Sequence, residues 1–299
     1  MTTVTADRAR AGGPSALFAV PALVFFVVFA VVPLGGVVAL SLMRWDGIAS
    51  PAWTGWTNWR AVLTDPVTHQ ALWLSLKVMV ISWLVQTPVS LLLGVLTAGR
   101  QRYRALLAVL YLLPLLLSSA AVAIAFRSLL DPNFGVSRGF DLAALSQDWL
   151  GSPALVLYVV IFVIAWQFVP FHTLLYQAGV RQIPASLLEA AEIDGAGRYQ
   201  RFRYVVLPQL RNTIVTSSTL MLVGSLTYFD VVFVLTGGGP GYATRLLPLH
   251  MYLTGFASND MGRASTIAVV LVVAGLLLAV GLTRLTGFSR MRSDLEGAG

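Results

Sequence analysis

Six apolar runs, each about as long as a lipid bilayer is thick, leave this chain few ways to fold. They cover Ala16 to Met43, Ala71 to Ala98, Ala105 to Phe126, Pro153 to Val180, Thr213 to Leu235 and Ala264 to Leu285. A helix needs roughly 20 apolar residues to cross the hydrocarbon core, so the spacing predicts an all-α integral membrane protein with six transmembrane helices. Composition agrees. Only 11% of the 299 residues are charged and 57% are hydrophobic, whereas a soluble domain carries about 25% charged residues. There is no Cys, which excludes a disulfide framework and a thiolate metal site. Residues 1–15 are polar and are followed by no small-residue cleavage site, so the first run reads as a retained signal anchor. The expected organisation is a tail at 1–15, a transmembrane domain over 16–286 and a second tail at 287–299.

The arginines set the orientation. With the N-terminus inside, the inner segments hold Arg8, Arg10, Arg100, Arg102, Arg104, Arg181, Arg198, Arg201, Arg203, Arg211, Arg284, Arg290 and Arg292. The outer segments hold only Arg44, Arg60, Arg127, Arg138, Arg245 and Arg263. This asymmetry puts both termini in the cytoplasm, in a cell (inner) membrane, and makes the net charge of +7 a topology signal rather than a nucleic-acid footprint. Trp45, Trp53, Trp56 and Trp59 crowd the first outer loop. Indoles favour the lipid headgroup region, and contact with an external partner is the competing use.

One stretch breaks the apolar pattern. "EAAEIDGAGRYQRFRYVVLP", Glu189 to Pro208, places three acids and three arginines in an inner loop running from Arg181 to Arg211. Ser186 and Glu189 have capping-box spacing, and Gly195 stands where a left-handed cap would close a short helix. A helix of that length is unstable alone in water, so it calls for a partner surface. An amphipathic helix lying on the membrane would carry basic residues. This one carries Glu189, Glu192 and Asp194 beside Leu187, Leu188 and Ile193, and the small Ala190 and Ala191 permit close approach. A knob for a cytoplasmic protein fits better.

The pattern Glu189-Ala190-Ala191, three residues, Gly195, nine residues, Val205-x-Leu207-Pro208 resembles the E-A-A-x3-G-x9-I-x-L-P signature of ABC importer permeases, with Val205 in place of Ile. "EAAEIDGAG", with Asp194 before the glycine, looks like the carbohydrate branch of that family. "YFDVVFVLTGGGPGYATRLLPLHMY" and "TGWTNWRAVLTDP" resemble segments of its maltose-type and glycerol-3-phosphate-type members. The resemblance implies that the signature forms a coupling helix docked on an ATPase subunit. Glu189 would be the coupling acid, Ala190 and Ala191 the close-packing positions, and Gly195 the turn. It also implies a second permease subunit, an ABC ATPase dimer carrying ATP and Mg, and an extracytoplasmic solute-binding protein.

The remaining residues agree with a chain that hydrolyses nothing itself. There is no G-x-x-x-x-G-K-[ST] run, and "TGGGPG" at 236–241 reads as a turn. His69, His172 and His250 have no metal-ligand spacing. No cofactor is expected on the chain. An ion-coupled carrier is the competing class and would need intramembrane ionisable groups. Lys77, Asp230 and His172 are its candidates, with Lys77 able to extend to the interface. Asp230, with Thr227 and Tyr228, offers hydrogen bonds and an aromatic face suited to a sugar. In maltose-type permeases this part of the helix contributes to the translocation site, and an interhelical bond between two permeases is the other use of Asp230. Trp166 and Gln167, near a kink at Pro170, are further substrate-pathway candidates. A sugar or oligosaccharide is the expected solute, and a glycerophosphodiester is the alternative within the same class.

Overall fold

The computed structural model describes residues 16–99, 102–136 and 147–286. The tails at 1–15 and 287–299, and with them Arg8, Arg10, Arg290 and Arg292, lie outside the described residues, as do Arg100 and Arg138. Four helices are long and apolar enough to cross a membrane: α1 (Val20–Ser41), α3 (Pro66–Thr97), α6 (Val156–Arg181) and α11 (Met261–Thr286). Two further spans are bent pairs. One joins α4 (Arg102–Leu116) to α5 (Ser119–Leu129) through a 103° turn, and the other joins α8 (Arg211–Ser225) to α9 (Asp230–Thr236) through 49°. Counted with each pair as one span, the six expected runs all have a helical counterpart.

Proline shapes the local irregularities. In α1 a π-turn over Val27–Val31 precedes Pro33, and another over Phe202–Val206 precedes Pro208. A proline cannot donate to the carbonyl four residues earlier, and widening the turn accommodates the lost bond. Pro66 sits at the first position of α3, where a missing N–H costs nothing. Asp65 caps that helix, accepting from Val67 N at 3.2 Å and Thr68 N at 2.9 Å. Burial works against the Asp65 carboxylate, but the Thr68 hydroxyl, these two backbone N–H groups and nearby His250 hold its pKa below the usual carboxylate range.

The end of the bundle bearing Asp65 is tied together by side chains that satisfy the open carbonyls of α1. Asn58, on the short helix α2 (Thr57–Thr64), donates to Ser41 O at 3.0 Å and Met43 O at 2.7 Å. Thr266 of α11 also reaches Ser41 O, at 3.3 Å. A two-stranded ribbon of β1 (Met43–Arg44) and β2 (Ala52–Trp53) pairs Met43 with Trp53, a minor departure from an all-α chain. Trp53 and Trp56 are exposed here, as interfacial indoles would be. Lys77 lies 5.5 Å from the centre of the Tyr158 ring, so its ammonium is taken up by an aromatic face.

Helix α3 packs inside out relative to a helix of a soluble bundle. Along α3 the buried face carries Val78 and Met79 but is otherwise small or polar, with Thr68, Ala71, Ser75, Ser82, Gln86, Ser90, Gly94 and Thr97, while Leu76, Leu84, Leu92 and Leu96 are exposed. Lipid is as apolar as Leu, so small and polar residues that allow close approach or hydrogen bonding define the contact faces. Helix α6 is the central element, with Leu157, Val160, Val163 and Ile164 buried in one cluster with Val78, Val122, Val232 and Leu249. Helix α1 is exposed over most of its length and becomes buried only at its end, at Ser41.

Candidate functional site

Two places gather residues that chemistry can use: one end of the bundle and the level at which both bent spans break.

The first is the end opposite Asp65, where α3 and α6 finish together. Gln177 Nε2 donates to Thr97 O at 2.9 Å, and Arg181 Nε to Ala98 O at 3.3 Å. From there the chain enters α7 (Ala185–Ile193), in which no residue is buried. Ile193 is 85% exposed. The helix closes as the glycine predicts. Gly195 has φ +76°, Gly195 N donates to Glu192 O at 3.0 Å and Ala196 N to Ala191 O at 2.9 Å, the paired bonds of a Schellman cap. The start differs from expectation. Pro184 is the N-cap and Ser186 lies inside the first turn, so the Ser186–Glu189 capping box does not form. Pro184 holds the entering chain extended two residues too early for it.

Glu189, Ala190 and Asp194 all face outward, and Arg201 Nη1 meets Glu192 Oε2 at 2.8 Å. Leu207 and Pro208 form a short helical turn that leads into Leu210, which is 1% exposed. The return strand of the loop is thereby anchored. A Cβ at Gly179 would come within 2.8 Å of the Leu210 side chain, so the base of the loop is tightly packed while α7 is presented free.

The second place is a cavity of about 430 Å³. The broken fifth span supplies Gly224, Thr227, Tyr228 and Asp230; the broken third span supplies Leu115 and Ser119; α6 supplies Phe168, Phe171 and His172. A local hydrogen bond accompanies the first break, and an acid at a helix start accompanies the second. Ser118 is extended and its Oγ accepts from Ala121 N at 3.2 Å, starting a new helix at Ser119. Asp230 opens α9, where an acid is favoured by the helix dipole. Tyr228 stacks on Phe168 with centroids 5.7 Å apart. His172 Nδ1 lies 2.9 Å from Ser217 Oγ. The cavity thus pairs one carboxylate with hydroxyl, imidazole and aromatic faces.

Thr227, Tyr228 and Asp230 therefore come together, whereas Trp166 and Gln167 stand elsewhere. Trp166 packs edge-on against Phe126 and lines a separate apolar groove with Tyr111 and Pro170. Gln167 Nε2 donates to Ser119 Oγ at 3.1 Å and Leu117 O at 3.3 Å, satisfying the carbonyl that the break in the third span leaves open. His172, Phe168 and Ser119 were not legible as cavity residues. The "SSA" after a Leu run was the available sign, because paired serines within an apolar span favour a cap. Gly224 opens onto the cavity rather than into a helix contact. Among the described residues no cluster of His, Asp and Glu could hold a metal ion.

Residues 90–288 match the family described as binding-protein-dependent transport system inner membrane component. A probable ABC transporter permease of Bacillus subtilis, YurN, is 32% identical, covering 88% of this chain and 92% of that protein. The trehalose/maltose transport system permease protein MalF of Thermococcus litoralis is 28% identical over 92% of this chain and 94% of its own length. Among solved structures, a bacterial ABC transporter involved in the import of the acidic polysaccharide alginate has the same fold, with a TM-score of 0.80 at 21% identity over 92% of this chain and 96% of that one. With a capped, outward-facing helix and a family match over residues 90–288, the chain belongs to the family of binding-protein-dependent inner-membrane transport components.

Proposed function

We propose that this chain is one of two permease subunits of an ATP-driven importer and passes a neutral sugar or oligosaccharide through the cavity at the broken spans. The observation that carries the reading is α7, a Schellman-capped helix with no buried residue on an otherwise membrane-embedded chain. Its acidic, small-residue surface is that of a docking element for a cytoplasmic ATPase dimer, which would hold ATP and Mg. Residues 16–286 form the transmembrane domain, the loop 181–211 couples it to the ATPase, and both termini are cytoplasmic. An extracytoplasmic binding protein delivers the solute. ATPase closure shifts α7, and the spans reorient the cavity by alternating access.

The test is a mild-detergent pull-down of the tagged chain from its native membrane, with mass-spectrometric identification of its companions. An ATPase, a second permease and a binding protein are expected. Recovery of the chain alone, repeated after cross-linking through position 189, would move the function to an ion-coupled carrier.

The solute class rests on the cavity and on the relative named for trehalose and maltose. A carboxylate in the wall accepts hydrogen bonds from sugar hydroxyls and repels an anion, which favours a neutral solute over a uronate or a glycerophosphodiester. Asp230→Asn replaces a charge-assisted acceptor by a neutral amide. A bond of that kind contributes about 1.5–3 kcal/mol, so the KM for uptake of labelled maltose or trehalose should rise roughly 10- to 100-fold. Unchanged uptake would remove Asp230 from the pathway, and no uptake of either sugar by the parent would reject them as substrates.

A further inference from the structure

His172 is only 4% exposed, yet its ring forms part of the cavity wall. One edge of that ring is engaged. Nδ1 lies 2.9 Å from the hydroxyl of Ser217, a fully buried residue of α8 that stands outside the cavity. Phe171, also in the wall, packs edge-to-face on the ring with centroids 5.2 Å apart. Nε2 is different. It has no hydrogen-bond partner among the described residues and keeps some exposure, unlike Nδ1 of His250, which is sealed and unpaired.

The Ser217 hydroxyl decides which nitrogen of His172 carries the proton. On the same helix Thr216 and Thr219 turn back and donate to Asn212 O at 3.0 Å and Val215 O at 2.8 Å. Ser217 makes no such bond, and Nδ1 of His172 is its one side-chain partner among the described residues. A proton on Nδ1 would leave the buried hydroxyl with a donor and no acceptor, which costs more than the bond gains. Ser217 therefore donates, Nδ1 accepts, and the ring proton resides on Nε2 at the cavity.

Other polar groups of the wall lean the opposite way. The Asp230 carboxylate accepts, and Thr227 gives its hydroxyl proton to Gly224 O at 2.7 Å and keeps its lone pairs. A sugar hydroxyl both donates and accepts, so acceptors alone satisfy half of it. We propose that His172 is a specificity-determining residue of the solute pathway, its Nε2–H supplying the donor to a solute oxygen, with Ser217 as the positioning residue that fixes the tautomer. This inference rests on the cavity being that pathway. It narrows the solute to one that presents an acceptor oxygen beside a hydroxyl, as a saccharide does, and disfavours an ammonium group, which has no lone pair to offer the N–H.

The experiment takes the transporter purified with its native partners, grown on ring-¹⁵N histidine and held in lipid nanodiscs without solute, and reads it by solid-state ¹⁵N NMR. The His172 signals are those that vanish in His172→Gln. They should show an unprotonated Nδ1 and a protonated Nε2 whose hydrogen exchanges with water, and Ser217→Ala should populate both tautomers. A proton on Nδ1, an Nε2–H closed to exchange, or a Ser217→Ala spectrum identical to the parent overturns the proposal. Uptake of labelled maltose or trehalose gives the second reading. His172→Gln keeps an acceptor and an N–H donor on its amide and should hold a KM close to the parent's. His172→Leu should raise KM by about 3- to 10-fold, the worth of one hydrogen bond between neutral groups, with less change in maximal rate. If His172→Leu does not assemble, Ser217→Ala provides the comparison, with a smaller rise. A KM unmoved by these variants while Asp230→Asn raises it overturns the proposal and leaves the pathway standing. A KM unmoved in Asp230→Asn as well removes the cavity from the pathway, and the proposal with it.

Discussion

Glu189→Lys should abolish solute-stimulated ATP hydrolysis in the assembled transporter while the chain still inserts in the membrane. Helix α7 has no buried residue, so the substitution disturbs no packing within the chain, and exposed replacements of this kind shift stability by only about 0.5 kcal/mol. Among the described residues Glu189 forms no ion pair, whereas Glu192 is engaged by Arg201 at 2.8 Å. Glu189 and Asp194 are thus the motif acids without an ion pair among the described residues, and in the proposed docking Glu189 meets a basic group on the ATPase. Disrupting a buried charge pair at an interface costs about 2–5 kcal/mol, which corresponds to a loss of coupling of roughly 30-fold to more than 1,000-fold. Flotation and protease accessibility would verify insertion, and phosphate release in proteoliposomes would read coupling. Normal coupling in Glu189→Lys would end its assignment as the coupling acid. Glu192→Lys is the comparison: it breaks an exposed pair of the kind that contributes about 0.2–1 kcal/mol, and its effect should be far smaller.

Gly94→Val should cost the most stability of any single change considered. Helices α3 and α6 cross at Gly94, where even a Cβ would fall 2.6 Å from Tyr176 Cβ and 3.1 Å from both Gln177 N and Thr173 O. Tyr176 is completely buried and the other two atoms are backbone, so nothing on the far side can yield cheaply. Overpacking of this sort costs about 1–3 kcal/mol and occasionally more. The thermal midpoint of the purified chain should fall by roughly 5–10 °C, with loss of the monodisperse peak on size exclusion. Gly281→Ala is the control, because a Cβ there meets nothing within 4 Å; it should be neutral or slightly stabilising through helix propensity. Equal behaviour of the two variants would show that the α3–α6 crossing is not a tight contact.

The two places in the molecule differ in how far the sequence disclosed them. Helix α7 is a local structure: its cap consists of bonds from Gly195 N to Glu192 O, three residues earlier, and from Ala196 N to Ala191 O, five residues earlier, so a linear motif carries nearly all of its geometry. Only its start was misplaced, because Pro184 and Ser186 compete for one position. The cavity is the opposite case. Thr227, Tyr228 and Asp230 were legible as polar residues inside an apolar run, but Ser119, Phe168 and His172 join them from two other spans. Trp166 and Gln167, adjacent to Phe168, diverge from the cavity because successive helical positions point about 100° apart.

The sequence by itself determined that the chain is helical and spans a membrane, since hydropathy over 20 residues is a property of the local chain and lipid tolerates no unpaired backbone. It also determined which loop presents the exposed helix α7, because polarity within an apolar chain is conspicuous. Tertiary structure decided the rest. Hydropathy cannot say which face of a uniformly apolar helix turns inward, because lipid and protein interior reward Leu equally. It took packing around Gly94 to bring Gln86 and Ser90 inside, and the breaks at Ser118 and Thr227 to open a cavity where three spans meet.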